Sequence, residues 1–247
     1  MKMIVLTDIH ANLPALDTVL EAIKTTGYDE IIHLGDAVGL GPYPAECLER
    51  LFSMEQIRFI MGNHDAALVD GFPTEPPDWV RRGTQLEQHL WTAIHQTAEW
   101  TADRVDPQLI SKVATWPSQI RRTLAGVNVL FQHYALDTSG RDFKPHPAQA
   151  TVADLDQAFK SVEADLIFYG HVHQVVDLTG RARYLNPGAL GCSPSLAACY
   201  FEVEFQRGTY TVTHHCLPYD HASLLAAFEA RKVPGREWIS PFFFGNH

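Results

Sequence analysis

The sequence predicts an α/β fold in which short, mostly apolar strands alternate with amphipathic helices, and three observations predict it. Apolar runs recur at Met3–Leu6, Ile31–Leu34 and Ile57–Met61. Between them lie segments of helical period, first Leu13, Leu16, Leu20 and Ile23 up to Gly27, then Pro44 to Phe52. Each run passes at once into a polar or glycine-rich loop, the strand–loop–helix order of βαβ units, whose sites are built at the strands' C-terminal ends.

Taken in order, Met3–Leu6 is a strand that ends at Asp8, and the helix after it stops at Gly27. Ile31–Leu34 is the second strand, followed by the glycine-rich loop Gly35–Pro42 and the helix Pro44–Phe52; Ile57–Met61 is the third strand. Phe72–Trp79 carries three prolines, and the helix-like stretch beyond it holds Trp79, Trp91, Trp100 and Trp116. This reads as a helical cap inserted at about 66–120 into a single domain of 1–247. Strands resume at Arg121–Leu124 and Val127–Gln132, then a helix at Val152–Val162 and a strand at Leu166–Tyr169. Shorter β segments follow at Gln174–Leu178, Ala182–Leu185, Ala198–Phe205 and Tyr210–His215, and His221–Arg231 is expected as the final helix.

Composition narrows the function classes. A formal charge of −10 excludes a surface that grips extended nucleic acid by neutralising phosphates. No apolar stretch approaches the roughly 18 residues of a membrane span, and Met1–Leu6 is too short for a signal-peptide apolar region, so a cytoplasmic protein is expected. Cys47, Cys192, Cys199 and Cys216 form no close pair in sequence and are expected as reduced, buried thiols.

Chemistry collects just after the strands: Asp8 and His10, Asp36, Asn63 and His64, His133, then His171 and His173. Strand ends of one sheet are neighbours in space, so these residues converge on one rim. Imidazole nitrogens mixed with carboxylate oxygens suit zinc, manganese, iron or nickel rather than calcium. Seven ligating side chains exceed the four of a closed zinc site and fit two ions that share a carboxylate, for which Asp36 in HLGD is the best candidate.

The blocks DIH at 8–10, GD at 35–36, GNHD at 62–65, His133 and GHVH at 170–173, in that order, resemble the calcineurin-like metallophosphoesterase superfamily. The likeness runs from Met3 to about Gly191 and is nearest to the small bacterial YfcE-type and diadenosine-tetraphosphatase-related phosphoesterases, whose extended motifs GDAVGLGPYP at 35–44 and LNPGAL at 185–190 resemble. The resemblance implies a four-layer αββα sandwich of two mixed sheets flanked by helices. It implies that Asp8, His10, Asp36 and His173 surround one divalent ion and Asp36, Asn63, His133 and His171 the other, with manganese expected first and iron, zinc or nickel as alternatives. A hydroxide held there would attack phosphorus in line, His64 would donate a hydrogen bond or a proton to the leaving oxygen, and Asp65 would fix the His64 ring. The expected substrate is a small phosphorylated molecule, a phosphodiester or nucleotide-type compound ahead of a monoester. A protein serine/threonine phosphatase, a nuclease and a non-catalytic scaffold on the same fold are the rivals, and the intact ligand set weighs against the scaffold.

Other residues carry plainer expectations. His33 is read as a satisfied strand histidine, Arg81 and Arg82 as a solvated helix face, and the four tryptophans as packing between cap helices. Tyr134, where the family often has glycine, either crowds the site or touches substrate. The run Phe242–Phe244 is either tucked against the sheet or a contact between copies of the chain, which leaves a homo-oligomer open, and GNH at 245–247 is read as an accidental echo of the motif.

Overall fold

The structure, a computed structural model, describes residues 1–137, 143–147, 149–193 and 195–245. Asn246 and His247 of the GNH echo lie outside them.

The chain begins with β1 (Lys2–Leu6) and α1 (Leu13–Thr26). Asn12 starts this helix by accepting the Ala15 N–H, Pro14 sits in its first turn, and Leu16, Val19, Leu20 and Ile23 bury one face. Next come β2 (Glu30–His33), α2 (Pro44–Phe52) and β3 (Ile57–Phe59). Up to the next strand every element is helical: α3 (Asn63–Asp70), α4 (Asp78–Arg81), α5 (Gln85–Ala102) and α6 (Pro107–Val113). The second half runs β4 (Gln119–Leu124), β5 (Val127–Gln132), α7 (Val152–Ala158), β6 (Leu166–Phe168), β7 (Val175–Thr179) and β8 (Arg183–Pro187). It closes with β9 (Ala197–Gln206), β10 (Thr209–Pro218), α8 (His221–Ala230) and α9 (Arg236–Phe244).

Two five-stranded mixed sheets form, in the orders β10-β9-β1-β2-β3 and β4-β5-β6-β8-β7. Strand alternation decides what each sheet faces. Met3 and Val5 of β1 point between the sheets, where they meet Phe131, Phe168, Leu185 and Phe201. Ile4 and Leu6 point the other way, onto α1 and α2. On the outer face of the second sheet, Leu130, Ile167 and Tyr184 pack with Leu155 and Phe159 of the α7 region. The expected four-layer αββα sandwich is therefore the fold. No helix among the described residues is long and apolar enough to cross a membrane.

Two expectations are corrected here. The helix at 221–231 is not the last one, because α9 follows it with Pro241 inside; Gly235 at φ 66° and Gly245 at φ 65° bracket it, and the Phe242–Phe244 run is part of that helix rather than a tail on the sheet. The cysteines are not all free thiols either. Cys199 and Cys216 face each other across the β9–β10 pair and form a disulfide, whereas Cys47 and Cys192 are free and buried. Directly opposed positions of an antiparallel pair bring Cβ atoms within disulfide reach, a relation that the hairpin register creates and the sequence separation hides.

Candidate metal centre

The loops after β1, β2, β5 and β6, together with the start of α3, bring all seven expected ligands to one rim. The first group is built by Asp8 and His10 after β1 and His173 after β6. His10 Nε2 lies 3.0 Å from His173 Nε2 and 3.7 Å from Asp8 Oδ1, and His173 Nε2 is 3.5 Å from Asp8 Oδ1. The second group is His133, Asn63 and His171: Asn63 Oδ1 is 3.2 Å from His133 Nε2 and 2.8 Å from His171 Nδ1. Asp36 stands between them, its Oδ2 3.7 Å from His10 Nε2 and 3.2 Å from His133 Nε2. The other oxygen of Asp36 accepts the backbone N–H of His64 at 2.8 Å, which fixes the carboxylate's rotation.

Close backbone approach makes this possible. A Cβ on Gly62 would come within 2.2 Å of Asp36 Oδ1, so only glycine lets the GNHD turn lie against that carboxylate. Gly39 holds φ +84°, and a Cβ there would sit 2.6 Å from His64 Nδ1. The loop after β2 thus forms the floor on which His64 rests.

Donor chemistry tests whether a cation fits. In each group lone-pair donors face one another: two imidazole nitrogens with a carboxylate oxygen in the first, two imidazoles with an amide and a carboxylate oxygen in the second. Without positive charge such donors can share only a few protons; a cation among them satisfies all of them, and the spacings above suit ligands about 2.0–2.2 Å from one centre. Electrostatics agree. Burial pulls His133 down, yet the Asp36, Asp8 and Asp65 carboxylates outweigh it and hold the ring up at about 9. Burial pushes Asp36 up, but His133, His64 and His10 hold it far below the usual carboxylate range. Asp8 is likewise held low, against burial, by His173, His10 and His133. The residues fit divalent cations.

His64 is partly buried at the edge of this ring, its centroid 4.9 Å from that of His10. Burial brings it down to about 4 against the pull of Asp36, so the imidazole is neutral near pH 7. Asp65 does not hold the His64 ring, contrary to expectation. Its buried carboxylate accepts three backbone N–H groups, Asp36 at 2.7 Å, Ala37 at 2.9 Å and Gly62 at 3.0 Å. Asp65 therefore ties the GNHD turn to the loop after β2, and acts on the ring residues through their backbone.

Several residues sit where the sequence reading did not put them. Tyr134 is buried and stacks on His171 with centroids 5.5 Å apart, so it supports a ring residue from behind rather than facing substrate. His33 is buried, but neither ring nitrogen has a hydrogen-bond partner among the described residues, so it is not the satisfied strand histidine expected; burial lowers it to about 3 and keeps it neutral between Phe59 and Trp116. Cys192 was read only as a buried thiol, yet its sulfur lies within 4.8 Å of ligand atoms of His10 and His173. Its place just beyond LNPGAL, in the loop after β8, is the signal that could have placed it there. His146, assigned no role, packs edge-on against His171 at 4.9 Å.

The chain has relatives. It is 30% identical over 170 residues to MJ0912 of Methanocaldococcus jannaschii, an uncharacterized protein, a match that covers 68% of this chain and 61% of that one, so this chain spans less than two thirds of the relative's length. The crystal structure of PH1004 from Pyrococcus horikoshii superposes with a TM-score of 0.79 at 20% identity, covering 99% of this chain and 98% of that one. A metallophosphoesterase from Sphaerobacter thermophilus superposes with a TM-score of 0.70 at 22% identity over 97% of each chain. A sequence model of the calcineurin-like phosphoesterase superfamily domain matches residues 1–208, a span that holds every residue of the ring just described, and the chain belongs to that superfamily.

Proposed function

We propose that the protein hydrolyses small phosphate esters with the help of two divalent metal ions held by Asp8, His10, Asp36 and His173 on one side and Asp36, Asn63, His133 and His171 on the other. When bound, such ions supply Lewis-acid polarisation of the phosphoryl group and activation of water, and manganese is the ion proposed first. One observation carries the reading: the Asp36 carboxylate lies between the imidazoles of the two groups, at 3.7 Å and 3.2 Å, as a shared ligand must.

The chain's own residues divide the remaining work. Asn63 offers an oxygen without charge, so the ring carries only the carboxylates Asp8 and Asp36 against four imidazoles. That leaves net positive charge once cations are present, and it attracts phosphate locally although the chain as a whole is at −10. His64 borders the ring as a neutral imidazole, so its N–H is available to the leaving oxygen as a hydrogen-bond donor. A diester or nucleotide-type ester was the expectation from sequence, with a monoester as the alternative, and both present the same phosphoryl group to the ring.

Asp36→Asn tests the proposal. The expected outcome is loss of hydrolysis of bis(4-nitrophenyl) phosphate by at least ~1,000-fold, with fewer than two ions per chain by elemental analysis. Wild-type turnover with two ions still bound would overturn the assignment.

A further inference from the structure

Beside the ring lies a cavity of about 830 Å³, within the range of small-molecule sites. Asn63 and His64 belong to its lining, so it is continuous with the place where a bound phosphoryl group would lose its leaving oxygen. Its walls are aromatic and aliphatic: Phe72, Trp79, Trp91, Phe143 and Phe243 face it from segments scattered over the whole chain. Phe143 packs on His133 and His171 with centroids 5.3 Å away from each, and Phe243 lies edge-on to His173 at 6.4 Å. The aromatic wall therefore begins at the ring residues themselves.

Charge completes the description. Asp70, Glu75 and Glu87 stand on the cavity's lining, and among its described lining residues there is no lysine or arginine. Glu87 is ionised, its carboxyl held below the usual range by the Thr84 backbone N–H and hydroxyl that donate to it. A second phosphate or a carboxylate entering this space would lose water and meet fixed negative charge. An uncharged ring would instead release water from apolar surface and stack on tryptophan and phenylalanine.

We propose that the leaving group of the substrate is a bulky, uncharged, aromatic alcohol, seated between α3, α5 and α9, and that Trp91 and Phe243 select it. This rests on the hydrolase reading above, because it is the position of His64 that assigns the cavity to the leaving side. Hydrolysis then breaks the P–O bond to that alcohol, the phosphoryl group gains the hydroxyl of water, and water's other proton ends on the released alcohol.

The experiment uses the full chain loaded with manganese. Two monoesters, methyl phosphate and 2-naphthylmethyl phosphate, release alkoxides of comparable basicity and differ in the group offered to the cavity. The matching phosphonates, which cannot turn over, are bound in parallel by calorimetry. The expected result is a preference of at least ~30-fold for the naphthylmethyl compound in both kcat/KM and affinity, the scale set by burying one fused ring system. In Trp91→Ala that preference falls to ~5-fold or less, and Phe243→Ala serves as the second variant, with metal content and melting temperature recorded for both. Equal treatment of the two compounds by wild type overturns the leaving-group assignment while bis(4-nitrophenyl) phosphate hydrolysis leaves the hydrolase reading standing. A binding preference with no turnover of any ester overturns both the hydrolase reading and the substrate class. Adenosine 5′-monophosphate, as a third substrate, should be at least ~10-fold poorer than the naphthylmethyl ester, and the reverse order would replace the aromatic alcohol by a nucleoside.

Discussion

Asp8, His10, Asp36, His171 and His173 all adopt φ between 48° and 68°, the left-handed region that side chains with a Cβ usually avoid. Each such residue costs about 1 kcal/mol or more, and the surrounding hydrogen bonds must over-determine it. The return is direction: a left-handed residue just after a strand turns its side chain back over the strand end, so short loops can aim several donors at one point. Asparagine tolerates this region better than most residues, which makes Asp36→Asn a change of charge more than of backbone. For His64→Ala the expected outcome is unchanged metal content, a loss of ~100-fold or more with an alkyl leaving group and of less than ~10-fold with 4-nitrophenolate, read from kcat/KM for the two ester types. Equal losses would remove His64 from the leaving oxygen. The ring residues were legible in sequence because each follows an apolar run. Asp65 was legible as a member of the motif but not in its role, since its partners are backbone N–H groups of Asp36 and Ala37, which no side-chain pattern records.

Among the elements, the tie between the start of α3 and the loop after β2 is the most exposed to a single change. In Asp65→Asn one of the oxygens that accept from Asp36, Ala37 and Gly62 becomes an NH2, and a donor then faces a donor. The expected cost is about 1–3 kcal/mol in denaturant unfolding. A fall of ~10-fold or more in metal affinity should accompany it, measured by titration into chelator-stripped protein. On the far edge, Arg183 of β8 holds Asp177 of β7 through two hydrogen bonds of 2.8 Å, and this pair keeps the Asp177 carboxyl below its usual value. A carboxyl whose folded pKa is depressed stabilises above the unfolded value near 4 and loses that contribution as pH falls through the folded one. The side chain of Asp177 is half exposed, so the gain is only about 0.5 kcal/mol. Comparing wild type with Asp177→Asn should show a difference at pH 7 that shrinks steadily as pH falls below about 4. Strands and early helices were readable because their period is local. The last helix was not, because Pro241 and three successive phenylalanines break the amphipathic pattern and it is packing on α5 and α8 that makes it a helix. The Cys199–Cys216 bridge escaped for a related reason, as it depends on which residues of two strands stand opposite.

At the scale of the molecule, the two sheets meet over an apolar layer, and Glu30 of β2 reaches Arg122 of β4 across it. Loops from both sheets contribute to the ring, so filling it should hold the sheets together. With ion at 100 times its Kd, linkage adds about 2.7 kcal/mol, or roughly 5–10 °C in melting temperature for a chain of this size. Calorimetry with and without manganese checks this, and an unchanged melting temperature would contradict a site built across the sandwich. The four-layer architecture was legible through the resemblance of the motifs, whereas the cavity was not, because its walls come from residues 72, 79, 91, 143 and 243, which share no motif and meet only after folding. The docking of α9 also carries a consequence for biosynthesis. In order of synthesis every ring residue precedes Gly235, and the wall residues Phe242 and Phe243 come after it. Under the proposed roles, a chain stopped before α9 would keep every proposed metal ligand and Trp91 yet lack the Phe243 side of the wall, so the choice of leaving group would loosen before the ring itself was touched.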